Sequence, residues 1–553
     1  MTDPPAPPTP QHSAHAAAVI EIDLDRELGR VGRRIYGQFL ESAFFGNIEG
    51  GVLDETSSLA STDPPPLRGL RRDVIDACRK LGIPVVRWPG GNFASAYHWT
   101  DGVGPRERRA RRLELAWGEE ESNRFGTDEF LAWCEAVGAE PYLVHSCRDV
   151  EEAARWVEYV NYAGSTSLTA LRAANGHPRP WDVRLWGIGN EVYGRWQMGH
   201  RGAAAYAADA REHAEFMRRV DPSLELVAVG ALPPLQEEWA RALLTVGRSF
   251  YDFVSLHLYA ASLHRDGTDD YDAVVSQPRY FEDEIASCAA VLESVSGELG
   301  LEQPPAIALD EWNIRHLEPA TWPEPRPGER GGAHDVPGLG GRRAGDAPEP
   351  TGLRVNRYSS RTLADALFYA GVFHVLHRLS GLAAPVRMAN TVNLVNANAL
   401  LEVRPAGVVR SASYHVWDLY QNHIGPRVVR SRFLGPDQLV SIRQGAESIE
   451  NAIGPRTAAL PALDIIATSD EARRTAQAAV INRHRRDVID ARLVGVPPTA
   501  HVWDLGVDSA QAWATNSLDQ PDHVATVDRG VLSLGATPYR FAPHSVTILE
   551  WTL

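Results

Sequence analysis

Lysine is almost missing from this sequence. Of 55 basic residues only Lys80 is a lysine, and 71 acidic residues bring the formal charge to -16. A chain this acidic sets up no net positive field to draw a polyanion, which argues against nucleic acid and against a membrane surface as partners. A neutral ligand fits the balance better. Cysteine is scarce as well: Cys78, Cys134, Cys147 and Cys288 lie far apart, with no C-x-x-C pair among them. A structural zinc site therefore has no support, and buried free thiols are expected rather than disulfides. No apolar run nears the roughly 20 residues that a membrane span needs. Residues 1–18 are rich in proline and lack the basic and apolar segments of a secretory signal. They read as a disordered tail on a cytoplasmic protein. No G-x-G-x-x-G opens a helix after a strand, so a dinucleotide fold has no support, and no metal or cofactor is expected.

What the chain does have is a repeating rhythm of apolar strands and amphipathic helices. Strand-like runs fall at 34–41, 84–88, 141–145, 183–188, 224–230, 253–259, 306–311 and 386–392, with helical patterns between most of them. The spacing predicts helices over 70–81, 127–137, 150–162, 203–220, 235–246, 280–299, 359–379 and 414–421, with Thr127 capping the second. Eight strand–helix units predict a (β/α)8 barrel over residues 33–424. A proline-, glycine- and charge-rich insertion over 318–351 interrupts it and reads as a flexible segment. From 425 to 553 short β-rich runs between Gly, Pro and Asp predict a C-terminal β-sandwich. The alternating run at 19–32 precedes the barrel and is expected to pair with that sandwich.

In a barrel the C-terminal strand ends share one face, where catalytic groups gather. That places Glu41, Arg87, Asn92, His145, Asn190, Glu191, His257, Tyr259, Glu311 and Asn390 around one mouth. Two of these end apolar strands about 120 residues apart: Glu191 in Trp186-Gly187-Ile188-Gly189-Asn190-Glu191, and Glu311 in Leu309-Asp310-Glu311-Trp312-Asn313. Carboxylates and amides bind hydroxyls, and indole faces stack on sugar C–H surfaces, so the mix suits a polyhydroxylated ligand. Glycoside hydrolysis needs one carboxylic acid and one carboxylate flanking the anomeric carbon. Arg87 and Tyr259 could keep Glu311 ionised. Each residue also has a plain structural reading. Asn190-Glu191 could cap a helix, Arg87 could be a core ion-pair residue, and His145 and His257 could be satisfied barrel histidines. Cys147 lacks an orienting His–Asp pair for a nucleophile. The run Arg106 to Arg112 reads as a solvated loop face.

Taken together, Tyr36-Gly37-Gln38-Phe39-Leu40-Glu41, Arg87-Trp88-Pro89-Gly90-Gly91-Asn92-Phe93, Trp99-Thr100-Asp101-Gly102-Val103-Gly104-Pro105, Phe125-Gly126-Thr127-Asp128-Glu129-Phe130 and the two carboxylate motifs resemble the α-L-arabinofuranosidases of glycoside hydrolase family 51. The resemblance implies Glu191 as acid/base and Glu311 as nucleophile. It implies Glu41, Asn92, Asn190 and Tyr259 as sugar contacts, Trp117 as a pocket wall, and Arg87 and His257 as supports for the carboxylates. Asn390 stands where the family usually has a Gln that contacts the sugar. The implied reaction releases terminal arabinofuranosyl residues from arabinose-containing saccharides, with retention, in a homo-oligomer. The chain departs from the pattern at Ser42, at the turn His145-Ser146-Cys147-Arg148, at Asn390 and in the long insertion. These departures leave galactofuranosides, xylosides and β-glucans open as substrates. A catalytically silent carbohydrate-binding barrel is the reading from another class.

Overall fold

Eight short strands apolar on both faces cannot sit at a surface, and here they close on one another. In the computed structural model, which describes residues 18–264, 267–322, 352–442, 456–506, 511–535 and 537–553, the barrel strands are Gly37–Phe39, Val85–Trp88, Glu140–His145, Leu185–Ile188, Glu225–Ala228, Phe253–Ser262, Ala306–Pro319 and Val386–Thr391. All pair in parallel. Val386–Thr391 closes the ring by pairing with both Ala306–Pro319 and Gly37–Phe39. Successive side chains point to opposite faces. Val85, Tyr142, Val144, Leu185, Val227, Phe253 and Met388 fill the interior, while Val86, Leu143, Trp186 and Leu226 pack outward on the helices.

Most of the expected helices form within a residue or three of their predicted ends. Several details differ. Arg33–Tyr36 is a 3-10 turn, and the first barrel strand starts only at Gly37. A helix over Ser167–Ala174, capped by Thr166, follows the helix Val150–Asn161 and was not foreseen. Thr127 is not a cap but the first helical residue. The Glu129 carboxylate reaches back to the Gly126 N–H at 2.8 Å, and the Thr127 hydroxyl accepts from the Trp156 indole instead. The run Arg106 to Arg112 is not simply a solvated face either. Arg106 and Arg109 are sunk against the buried Glu129 at 3.1 and 2.9 Å, and only their neighbours reach solvent.

The C-terminal part is a nine-stranded sheet that also takes in the N-terminal strand Ala18–Arg30. That strand lies between Arg427–Leu434 and Ile489–Val494. Alternation again decides the packing. Ala476, Ala478 and Val480 turn into a core shared with Ile20, Ile22, Val502 and Phe541. Ala479 and Ile481, on the other face, join the same apolar cluster as the barrel helices. The insertion expected over 318–351 lies mostly outside the described residues. Its flanks form a short antiparallel ladder, Leu317 to Val355 and Pro319 to Leu353. The expected tail falls outside the described residues up to 17. All four cysteines are free and buried. Among the described residues no helix is long and apolar enough to cross a membrane.

Candidate active site

The ends of strands two and four and the middles of strands six and seven, which run on past the predicted ends, bring four charged groups into contact. Glu311 lies inside strand seven's run of buried residues, 307–314, in register with His257 on strand six. Its Oε1 accepts from the Tyr259 hydroxyl at 2.5 Å and its Oε2 from Arg87 Nη1 at 3.1 Å. Arg87 is fully buried. It donates to the Asp310 carbonyl at 3.0 Å and to Asn190 Oδ1 at 2.6 Å. The guanidinium is thus paired with strand seven, and its fork holds the nucleophile candidate and the Asn190 amide together. Asn190 Nδ2 is buried with no partner among the described residues.

Glu191 reaches the same place from strand four. Gly189 turns the chain with φ of +87°, and Glu191 itself sits at φ of +42°, a region that costs a non-glycine residue about 1–3 kcal/mol. Its Oε1 lies 2.9 Å from His257 Nδ1, and its Oε2 accepts from the Trp196 indole at 2.9 Å. One oxygen of each glutamate and a ring nitrogen of His257 all lie within 4.8 Å of one another. His257 Nε2 is 3.3 Å from Asp310, whose other oxygen accepts from the Tyr142 hydroxyl. Burial would lower the His257 pKa, but Glu311, Asp310 and Glu191 raise it well above the ordinary imidazole range. Burial would raise Glu191, but His257 above all holds it below the usual carboxylate value. The two therefore share one proton, which rests on the imidazole side. The same three residues could hold a divalent cation.

Glu41, at the end of strand one, is buried and accepts from the Phe93 N–H at 2.9 Å and the Trp117 indole at 3.0 Å. Burial, with Glu311 nearby, pushes its pKa up to about 8. The turn Pro89-Gly90-Gly91-Asn92 runs between these groups. A Cβ on Gly90 would meet Glu41 Cγ at 2.4 Å, and one on Gly91 would lie 3.1 Å from Glu311 Oε2. Glycine is there because the backbone passes against both carboxylates.

These groups open onto a cavity of about 390 Å³ lined by Glu41, Asn92, Trp117, Glu191, Trp196, Tyr259 and Glu311. Arg87, Asn190 and His257 lie beneath it. Asn390 does not belong to it. It points into the barrel interior beside Gly37, fully buried, and donates to the Gln38 carbonyl at 2.9 Å. The amide that lines the cavity from strand eight is Asn393, whose Oδ1 has no partner among the described residues. His145 also stays out of the cavity, stacked on His213, its Nδ1 taking the Cys147 N–H. Ser42 holds the Trp88 indole at 3.1 Å. Asp310, Trp196, Asn393 and Arg361 went unforeseen. Asp310 and Trp196 stand one and five residues from the carboxylates, so the signal that marks the two motifs extends to them.

Two family profiles match the sequence. One, described as an alpha-L-arabinofuranosidase 1 domain, covers residues 77–275, and one described as an alpha-L-arabinofuranosidase C-terminal domain covers 310–545. Alpha-L-arabinofuranosidase C of Emericella nidulans is 31% identical over 553 residues, covering 98% of each chain. An intracellular exo-alpha-(1->5)-L-arabinofuranosidase of Streptomyces lividans is 31% identical, over 90% of this chain and 69% of that one. Among solved structures, the arabinose complex of the Thermotoga maritima alpha-L-arabinofuranosidase superposes with a TM-score of 0.80 at 30% identity, over 97% of this chain and all of that one. A family 51 alpha-L-arabinofuranosidase of Bifidobacterium longum gives 0.79 at 26%, over 96% and 99%.

Proposed function

From the premise that this chain belongs to the α-L-arabinofuranosidases of glycoside hydrolase family 51, we propose that it is an exo-acting, retaining glycosidase releasing terminal α-L-arabinofuranosyl residues from arabinose-containing saccharides. The observation that carries this reading is the facing pair. Oxygens of Glu191 and Glu311 lie within 4.8 Å of each other across one cavity, and among the described residues Glu311, unlike Glu191, is bonded to an arginine. Retention calls for carboxyl groups about 5–5.5 Å apart, whereas inversion needs roughly 6.5–9.5 Å to admit a water.

In the proposed cycle Glu311, oriented by its hydrogen bonds from Arg87 and Tyr259, attacks the anomeric carbon as the glycosidic bond breaks. Glu191 gives its proton to the departing oxygen. The proton held between His257 and Glu191 moves onto the glutamate as that oxygen arrives, which makes a carboxylate of low resting pKa competent as an acid. Once Glu311 is esterified its charge is gone. Glu191 then takes a proton from water, whose oxygen attacks the same carbon and frees Glu311. Glu41, protonated at neutral pH, donates to a sugar hydroxyl. The unpartnered Asn190 Nδ2 and Asn393 Oδ1 offer one donor and one acceptor more. The exposed indole of Trp196, tied to Glu191, is placed for the leaving group.

Hydrolysis of an aryl α-L-arabinofuranoside by the wild type and by Glu191→Ala and Glu311→Ala tests this. The expected result is turnover by the wild type, none by Glu311→Ala, and rescue of Glu191→Ala by azide as a glycosyl azide of the substrate's own α configuration. Binding without turnover by the wild type would leave a silent sugar-binding barrel. Faster turnover of aryl galactofuranosides or xylosides would reassign the sugar.

A further inference from the structure

One wall of the cavity has no part in the chemistry above. The end of strand seven and the segment leading to the helix Leu363–Arg378 contribute four arginines to it: Arg315, Arg354, Arg357 and Arg361. Arg354 pairs with Glu318 at 2.7 Å. Arg315 lies flat over the Tyr259 ring, 3.7 Å from its centroid, on the phenol that bonds Glu311. Arg357 stands over Phe44 and Trp117.

Arg361 is the informative one. It is fully buried, yet among the described residues no carboxylate pairs with it. Nε donates to the Asn398 carbonyl at 2.7 Å and Nη2 to Asn313 Oδ1 at 2.8 Å, both neutral acceptors, while Nη1 has no partner. The buried carboxylate whose charge Arg361 feels, Asp365, is bonded to His316 instead, so the guanidinium is buried without a bonded counter-charge, a costly arrangement. A neutral furanoside gives no return on that cost. An anion delivered by the ligand would, and a planar guanidinium matches a carboxylate best.

Resting on the glycosidase reading of the same cavity, we propose that the substrate is an acidic saccharide carrying a carboxylate outside the furanose that is released, and that Arg361 and Arg315 receive this carboxylate. The probes are 4-carboxyphenyl α-L-arabinofuranoside and its methyl ester. The ratio of their kcat/KM values, compared between enzymes, cancels the intrinsic reactivity of the two leaving groups. The wild-type acid-to-ester ratio should exceed that of Arg361→Gln by about tenfold, chiefly through KM. It should fall as NaCl is raised, and be largely kept in Arg361→Lys. Arg315→Gln, at a half-exposed position, should lower the ratio in the same direction without depending on a buried side chain for folding. An unchanged ratio in both Gln variants, or a wild-type ratio indifferent to salt, would overturn the proposal while leaving ester hydrolysis, and so the glycosidase reading, intact. Failure of the wild type to cleave either glycoside would overturn both.

Discussion

Glu41 and His257 are buried ionisable groups pushed in the same direction for opposite reasons, and each makes a prediction. Glu41 titrates near 8 because burial penalises its charge. In the unfolded chain it titrates at about 4.3. The folded state therefore binds this proton more tightly, and the stability it contributes is whole below about pH 4 and lost as pH rises toward 8. Glu41→Gln has no such proton and can still accept from Phe93 and Trp117. Its melting temperature relative to wild type should therefore climb between pH 4 and 8, by scanning calorimetry. A difference flat in pH would contradict the assignment. His257 is raised by three carboxylates and, in the proposed cycle, stores the proton that Glu191 delivers. Replacing it with Asn removes the store and leaves Glu191 to titrate alone. The alkaline limb of the kcat profile should move to lower pH, with kcat down roughly 10²-fold. An alkaline limb unmoved in His257→Asn would exclude the shared proton.

The turn after strand two is the element on which the site's tolerances depend. A methyl at Gly91 would lie 3.1 Å from Glu311 Oε2, at a φ of ordinary sign, so it displaces the carboxylate rather than strains the backbone. Gly91→Ala should cut kcat roughly tenfold or more with a change of less than about 1 kcal/mol in stability by urea titration. A large stability loss with normal kcat would mean the turn supports the fold instead. Elements were the most legible scale. Apolar runs closing on an acid with an amide within two residues announced Glu191 and Glu311, because the signal is local. Position at the strand end misled at strand eight. Within Val386–Thr391 the period of two turns Asn390 inward, and the amide that reaches the cavity, Asn393, lies beyond the strand, where the period no longer holds. The arginine run misled for a different reason: Arg106 and Arg109 are buried by Glu129, some 20 residues away, and no local pattern reports such a partner.

At the scale of the molecule, the barrel and the C-terminal sheet are not separable by energy. One apolar cluster runs from the barrel helices through Val428, Ile466, Ala479, Ile481 and Ile548 on the sheet. The N-terminal strand ties the sheet to the chain's other end. Thermal unfolding should be a single cooperative transition, with Ile481→Ala lowering its midpoint as a whole at a cost of about 2–4 kcal/mol. Two resolved transitions would show independent domains. The β/α rhythm and its change to short strands were visible in the sequence. The shared face was not, because residues on a strand buried on both sides show no contrast between core and surface. The pairing of two acids at one cavity is the claim on which the rest depends. It is tested most directly by incubating Glu191→Ala with an activated aryl α-L-arabinofuranoside and mapping the modified peptide by mass spectrometry. A pentosyl ester on Glu311 is the predicted result. An adduct on another residue, or an inverted product formed with no adduct, would contradict it.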